Sequence, residues 1–88
     1  MFQKTIKVTN SLGLHARPSA LLVKAATKFR SDFFIEKDGT KVNGKSILGV
    51  MMLAAECGAV LTLIGEGVDE EYLVNEIAEL IASGFGEE

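Results

Sequence analysis

One histidine occurs in the chain. It stands in the run Gly13-Leu14-His15-Ala16-Arg17-Pro18-Ser19, where a strand-like stretch gives way to a helix-like one. An imidazole, with an ordinary pKa of about 6.5, is mostly neutral near pH 7 and can attack an electrophilic phosphorus. The phosphorus–nitrogen bond it would form is labile, which suits a group that must be passed on. Pro18 lacks an amide proton and is tolerated only in a first helical turn, so the helix must begin close to His15. Amides of that turn, those of Ala16 and Arg17, point at any anion held there, and the helix dipole favours it. The Arg17 guanidinium can add charge-assisted hydrogen bonds to phosphate oxygens. Set against this, a lone histidine is more often a cap or a half-buried side chain than a reacting group, and spacing alone does not choose between them.

Other chemistries fit less well. One histidine and one cysteine are too few for a metal centre, so no metal and no cofactor are expected. A Gly-x-Ser-x-Gly elbow is absent. Cys57 cannot form an internal disulfide and reads as a small core residue near the end of an apolar helix. Ser46 reads as an N-cap, worth about 1 kcal/mol. It is also a possible kinase target, because a phosphate is electrostatically tolerated at a helix N-terminus.

The elements that must hold these residues can be read from periodicity. Gln3 to Val8 alternates as a half-buried strand, with Ile6 and Val8 on one face. Ala16 to Phe29 is helical, with Ala20, Val23, Ala26 or Thr27, and Phe29 or Arg30 recurring near the helical period. Phe33–Lys37 and Lys41–Val42 form two strands joined by an Asp38-Gly39 hairpin turn. Ile47 to Leu53 reads as a short buried helix that Gly49 weakens by about 1 kcal/mol. Val60 to Ile64 is a fourth strand. From about Asp69 to Ser83, Leu73, Ile77, Leu80 and Ile81 line one face of a last helix, which Gly84 ends. The order β-α-β-β-α-β-α predicts an α+β domain with helices on one face of an antiparallel or mixed sheet. Phe34, Val60 and Ile64 would then lie on the open face, either covered elsewhere or exposed to a partner.

With 88 residues, 48% of them hydrophobic, the chain is a single domain with one modest core. No secretory signal is visible, and the longest apolar run, Ile47 to Ala55, is far short of the ~20 residues that span a bilayer. A soluble, cytoplasmic protein with no membrane insertion is expected. Charge is sorted along the chain. Up to Lys45, nine bases and three acids give +6, and beyond it nine acids and no base give −9. The basic half suits an acidic partner or an anionic ligand. Nucleic acid is not expected, since no aromatic-rich binding signature accompanies the bases.

At these residues the chain resembles the histidine-containing phosphocarrier family HPr of the bacterial phosphotransferase system, over essentially its whole length. Gly13-Leu14-His15-Ala16-Arg17-Pro18 is similar to the family's active-site signature. Lys41-Val42-Asn43-Gly44-Lys45-Ser46-Ile47-Leu48-Gly49-Val50-Met51 is similar to its regulatory-serine segment. The resemblance implies an open-faced β-sandwich of four antiparallel strands with three helices on one side. It implies a monomeric carrier, not a free-standing catalyst, that accepts a phosphoryl group from phosphoenolpyruvate-charged enzyme I on Nδ1 of His15. The group would then pass to an enzyme IIA domain for carbohydrate uptake, with Arg17 steadying it. Lys24, Lys45, Ile47, Leu48 and Met51 would contact the partners. Ser46 would be the target of a regulatory kinase/phosphorylase, with a transcriptional regulator as a further partner. The acidic tail Phe85-Gly86-Glu87-Glu88 also resembles the family's nitrogen branch, so both branches stay open. A serine-only regulatory paralogue is disfavoured by the presence of His15.

Overall fold

A computed structural model of the chain describes residues 1–86. Strand β1 (Phe2–Lys7) leads through a loop to helix α1 (Ala16–Ala26), then to β2 (Asp32–Lys37) and β3 (Thr40–Asn43). Helix α2 (Ile47–Met52), strand β4 (Val60–Glu66) and helix α3 (Glu70–Ala82) follow. A 3-10 turn at Gly84–Gly86 ends the described chain. The sheet runs in the order β1-β4-β2-β3 with every neighbour antiparallel. Leu61 and Leu63 of β4, Phe33 and Ile35 of β2, and the inner faces of α1 and α3 close one apolar cluster. These are the strands and helices expected, on an open-faced α+β frame.

The Asp38-Gly39 turn carries positive φ at both residues (49° and 83°), the primed geometry that matches the twist of two flanking strands. Helix α1 is shorter than its apolar pattern suggests. From Lys28 onward the amides bond three residues back, Lys28 to Ala25 and Phe29 to Ala26, and the Thr27 hydroxyl donates to Lys24 O. Its buried face is Pro18, Ser19, Leu22, Val23 and Ala26, so Ala20 points to solvent instead of the core.

Two further expectations are corrected. Helix α2 is not buried: only Val50 is inside, because six residues offer the core a single inward stripe. Cys57 is exposed, in the turn before β4, with its thiol near Thr9 O rather than among apolar side chains. On the open face of the sheet, Val60 is exposed and Phe34 is half-buried under the Lys41 ammonium, 4.7 Å from its ring centre. Ile64 is buried but lies outside the main cluster. It sits on inner strand β4 between Gln3 and Phe34, whose side chains flank it on the same face.

Asp69 ties the end of the sheet opposite His15. Its carboxylate accepts from the Ser31 hydroxyl and from the amides of Ser31 and Arg30, so the loop after α1 is fastened to the start of α3. The Ser31 hydroxyl first, then the Arg30 amide, hold the Asp69 carboxyl at about 2 against the usual 3.8. A depressed folded-state value favours the folded form above the unfolded pKa, and that advantage is lost as pH falls through the folded one. Stability should therefore drop between about pH 4 and pH 2. Asp69→Asn, compared by urea midpoints at pH 5 and pH 2.5, should lose less across that window than the wild type. Equal losses in the two proteins would refute the assignment.

Candidate phosphoryl-transfer site

His15 is the N-cap of α1, with extended backbone (φ −75°, ψ −170°), and its side chain makes no capping hydrogen bond. The capping explanation for this residue is therefore set aside. The first i→i−4 bond of the helix runs from Ser19 N–H to His15 O, so the amides of Ala16 and Arg17 precede it. Pro18 fills the third position, where its missing donor costs nothing. His15 is half-buried, while Ala16 and Arg17 are exposed.

The loop ahead of His15 is held from two sides. The Asn10 side-chain amide donates to Gly13 O at 2.7 Å, and the Leu14 amide donates to Ala55 O at 2.9 Å. Gly13 has φ +66°, and a Cβ there would sit 2.3 Å from Ala55 O. The segment after α2 is thus pressed against the loop that carries the histidine.

Charge separates the two long helices. No acid lies in the first turn of α1, and Lys24 lies in its last. The positive end of α3 is already occupied by Glu70 and Glu71. Glu70 accepts from Gly67 N–H and pairs with the N-terminal ammonium at 3.2 Å, contacts that lower its pKa. Of these two helices, α1 is the one whose dipole meets no carboxylate of its own first turn, as an incoming phosphoryl group requires.

Ser46 does cap its helix: its Oγ accepts from Gly49 N–H at 3.0 Å. A Cβ on residue 49 would lie 3.1 Å from Asn43 O and 3.4 Å from the Ser46 side chain, so glycine, a poor helix former, lets this capped turn close. Helices α1 and α2 pack side by side, bringing the histidine and serine elements together. Lys24, Ile47, Leu48 and Met51 are exposed, Leu48 by 71%. Lys45 is half-buried and its ammonium is bound to Phe29 O at 2.7 Å, fastening the turn that follows α1. Leu12 and Met52 are each 72% exposed: Met52 belongs to the helix expected to be buried, and Leu12 to the loop before His15. For Met52 a signal existed: adjacent helical residues such as Met51 and Met52 cannot both share one narrow inward stripe. Glu87 and Glu88 of the acidic tail lie outside the described residues.

Among the described residues, no group of three or more His, Cys, Asp or Glu is arranged to hold a metal. No described helix is long and apolar enough to cross a membrane.

Comparison with known proteins follows this geometry. The family model "PTS HPr component phosphorylation site" matches residues 2–83. The phosphocarrier protein HPr of Treponema pallidum is 47% identical over 88 residues, covering both chains fully. The HPr-like protein Crh of Bacillus subtilis is 47% identical over 81 residues, covering 92% of this chain and 95% of its own. The crystal structure of HPr-C-His from Thermoanaerobacter tengcongensis superposes with a TM-score of 0.97 at 50% identity, covering 100% of this chain and 99% of that one. Similarity of this extent, in sequence and in fold, settles the family: the chain belongs to the HPr phosphocarriers of the phosphotransferase system.

Proposed function

We propose that this protein accepts a phosphoryl group from phosphoenolpyruvate-charged enzyme I on Nδ1 of His15 and delivers it to an enzyme IIA domain during carbohydrate uptake in the cytoplasm. The observation that carries this reading is the seat of His15: a half-exposed imidazole at the N-cap of α1, unused as a cap, next to Arg17. In the transfer, the Nδ1 lone pair attacks phosphorus, the donor's own phosphorus–nitrogen bond breaks, and the ring proton stays on Nε2. The amides of Ala16 and Arg17 and the Arg17 guanidinium face the phosphoryl oxygens and offset their charge. Lys24, Ile47, Leu48 and Met51 form the docking surface, and Lys45 supports it by holding the turn after α1. Incubation with enzyme I and labelled phosphoenolpyruvate tests the proposal. It should yield an acid-labile, base-stable label approaching one phosphoryl group per chain.

A second reading, regulation through Ser46, draws support from the similarity to Crh. A phosphate on Ser46 would place up to about two negative charges beside a surface suited to acidic partners. Ser46→Asp keeps an N-cap acceptor, so the fold should persist with an unchanged circular dichroism spectrum. Like-charge repulsion should weaken binding to an enzyme IIA domain about tenfold by titration calorimetry. Equal affinities for Ser46→Asp and the wild type would remove the switch. The choice between the sugar branch and the nitrogen branch turns on which IIA domain accepts the label.

A further inference from the structure

Three buried polar residues occur among those described: Asn10, Ser19 and Ser31. Ser31 belongs to the Asp69 latch. The other two both address the backbone immediately before His15. Ser19 is 0% exposed on the inner face of α1, where alanine would fit and would favour the helix more. Serine there needs a reason, because a buried hydroxyl costs free energy unless it is hydrogen-bonded.

That reason is on the page. The Ser19 hydroxyl donates to Leu14 O at 3.0 Å, and the Ser19 amide donates to His15 O at 3.0 Å. A serine in a helix that bonds backward ordinarily reaches the carbonyl three or four residues before it. Here the hydroxyl reaches five back, past the N-cap. One residue therefore grips two consecutive carbonyls, which belong to the peptide planes on either side of the His15 Cα. Those planes set φ and ψ of His15 and so the direction of its Cα–Cβ bond. Asn10 fixes the preceding plane through Gly13 O.

From this geometry we infer that Ser19 is a positioning residue for phosphoryl transfer: it holds the backbone of His15 so that the ring meets the incoming phosphorus in line. The inference rests on His15 being the phosphoryl acceptor. Ser19 touches no reacting atom. Its hydroxyl is internal and leaves the docking surface unchanged, so its effect belongs to the transfer step rather than to binding.

The test is rapid-quench transfer from phosphorylated enzyme I to wild type, Ser19→Ala and Ser31→Ala, at a temperature where circular dichroism shows all three folded. Removing one neutral hydrogen bond that orients the ring should slow transfer at saturation about fivefold. The half-saturating concentration should stay unchanged. Because the chain has one histidine, the ¹⁵N resonances of its ring report His15 without ambiguity, and they should move in Ser19→Ala. Ser31→Ala should lose thermal stability with no change in transfer rate or ring resonances. A Ser19→Ala rate within twofold of wild type, a change confined to the half-saturating concentration, or an equal slowing in Ser31→Ala would each overturn the inference. A wild-type chain that takes up no label at all is a separate outcome, which removes the phosphocarrier proposal as well.

Discussion

His15→Ala should take no label above background from enzyme I and phosphoenolpyruvate, while melting within a few degrees of the wild type. The two halves of this expectation come from different observations. The loss is complete because the variant lacks the only imidazole in the chain, and the exposed Cys57 would give a thiophosphate rather than an acid-labile phosphoramidate. The fold survives because His15 is half-buried, and its side chain makes no capping hydrogen bond. Its backbone carbonyl accepts from the Ser19 amide, and alanine retains that carbonyl. Replacing a half-buried side chain that serves as no cap costs about 1 kcal/mol. Label retained in His15→Ala at the wild-type level would falsify the assignment of the acceptor. Label lost together with the folded circular dichroism spectrum would instead show His15 to be structural.

The contrast between His15 and Ser46 shows what could be read from residue types alone. Both positions were legible as helix N-caps, because Pro18 fixes where α1 begins and Ser46 precedes an apolar run after the Asn43-Gly44 turn. Which side chain caps and which does not is a matter of local geometry. Ser46 turns its oxygen onto Gly49 N–H, whereas the imidazole makes no capping hydrogen bond. The buried face of β2 was legible for the same reason, and so was that of α3 at Leu73, Ile77 and Ile81, whereas Leu80 is half-buried and Val74 and Ala78 take the remaining inner positions. The exposure of α2 was not. Apolar content marks Ile47, Leu48, Met51 and Met52 as core, but a six-residue helix lying at the edge of α1 has room to bury only Val50. The apolar residues left outside are those that a protein partner could cover. Ser19 and Asn10 were invisible for a different reason: their value depends on carbonyls at Leu14 and Gly13 whose orientation no periodicity encodes.

Gly13→Ala should be the most damaging single-methyl change near the site. Two penalties combine. A non-glycine residue at φ +66° costs about 1–2 kcal/mol. The added Cβ would also stand 2.3 Å from Ala55 O and 2.8 Å from Glu56 Cα, and both are backbone atoms that cannot swing aside. Relieving that overlap requires the loop before α1 to separate from the segment after α2, at a further cost of about 1–3 kcal/mol. A total of about 2–5 kcal/mol corresponds to a fall in Tm on the order of 10–30 °C for a domain of this size. Activity should suffer even where the protein stays folded, since the same displacement stretches the Leu14 N–H to Ala55 O bond and moves the carbonyls that Asn10 and Ser19 hold. Phosphoryl transfer to Gly13→Ala, measured well below its Tm, should therefore be slower than to the wild type. Gly39→Ala provides the comparison. Its φ of +83° carries the conformational penalty, yet nothing lies within 4 Å of the added methyl. It should destabilise by the smaller amount and transfer at the wild-type rate. If the two variants melt together, the close approach of Gly13 to Ala55 does not hold the histidine loop in place.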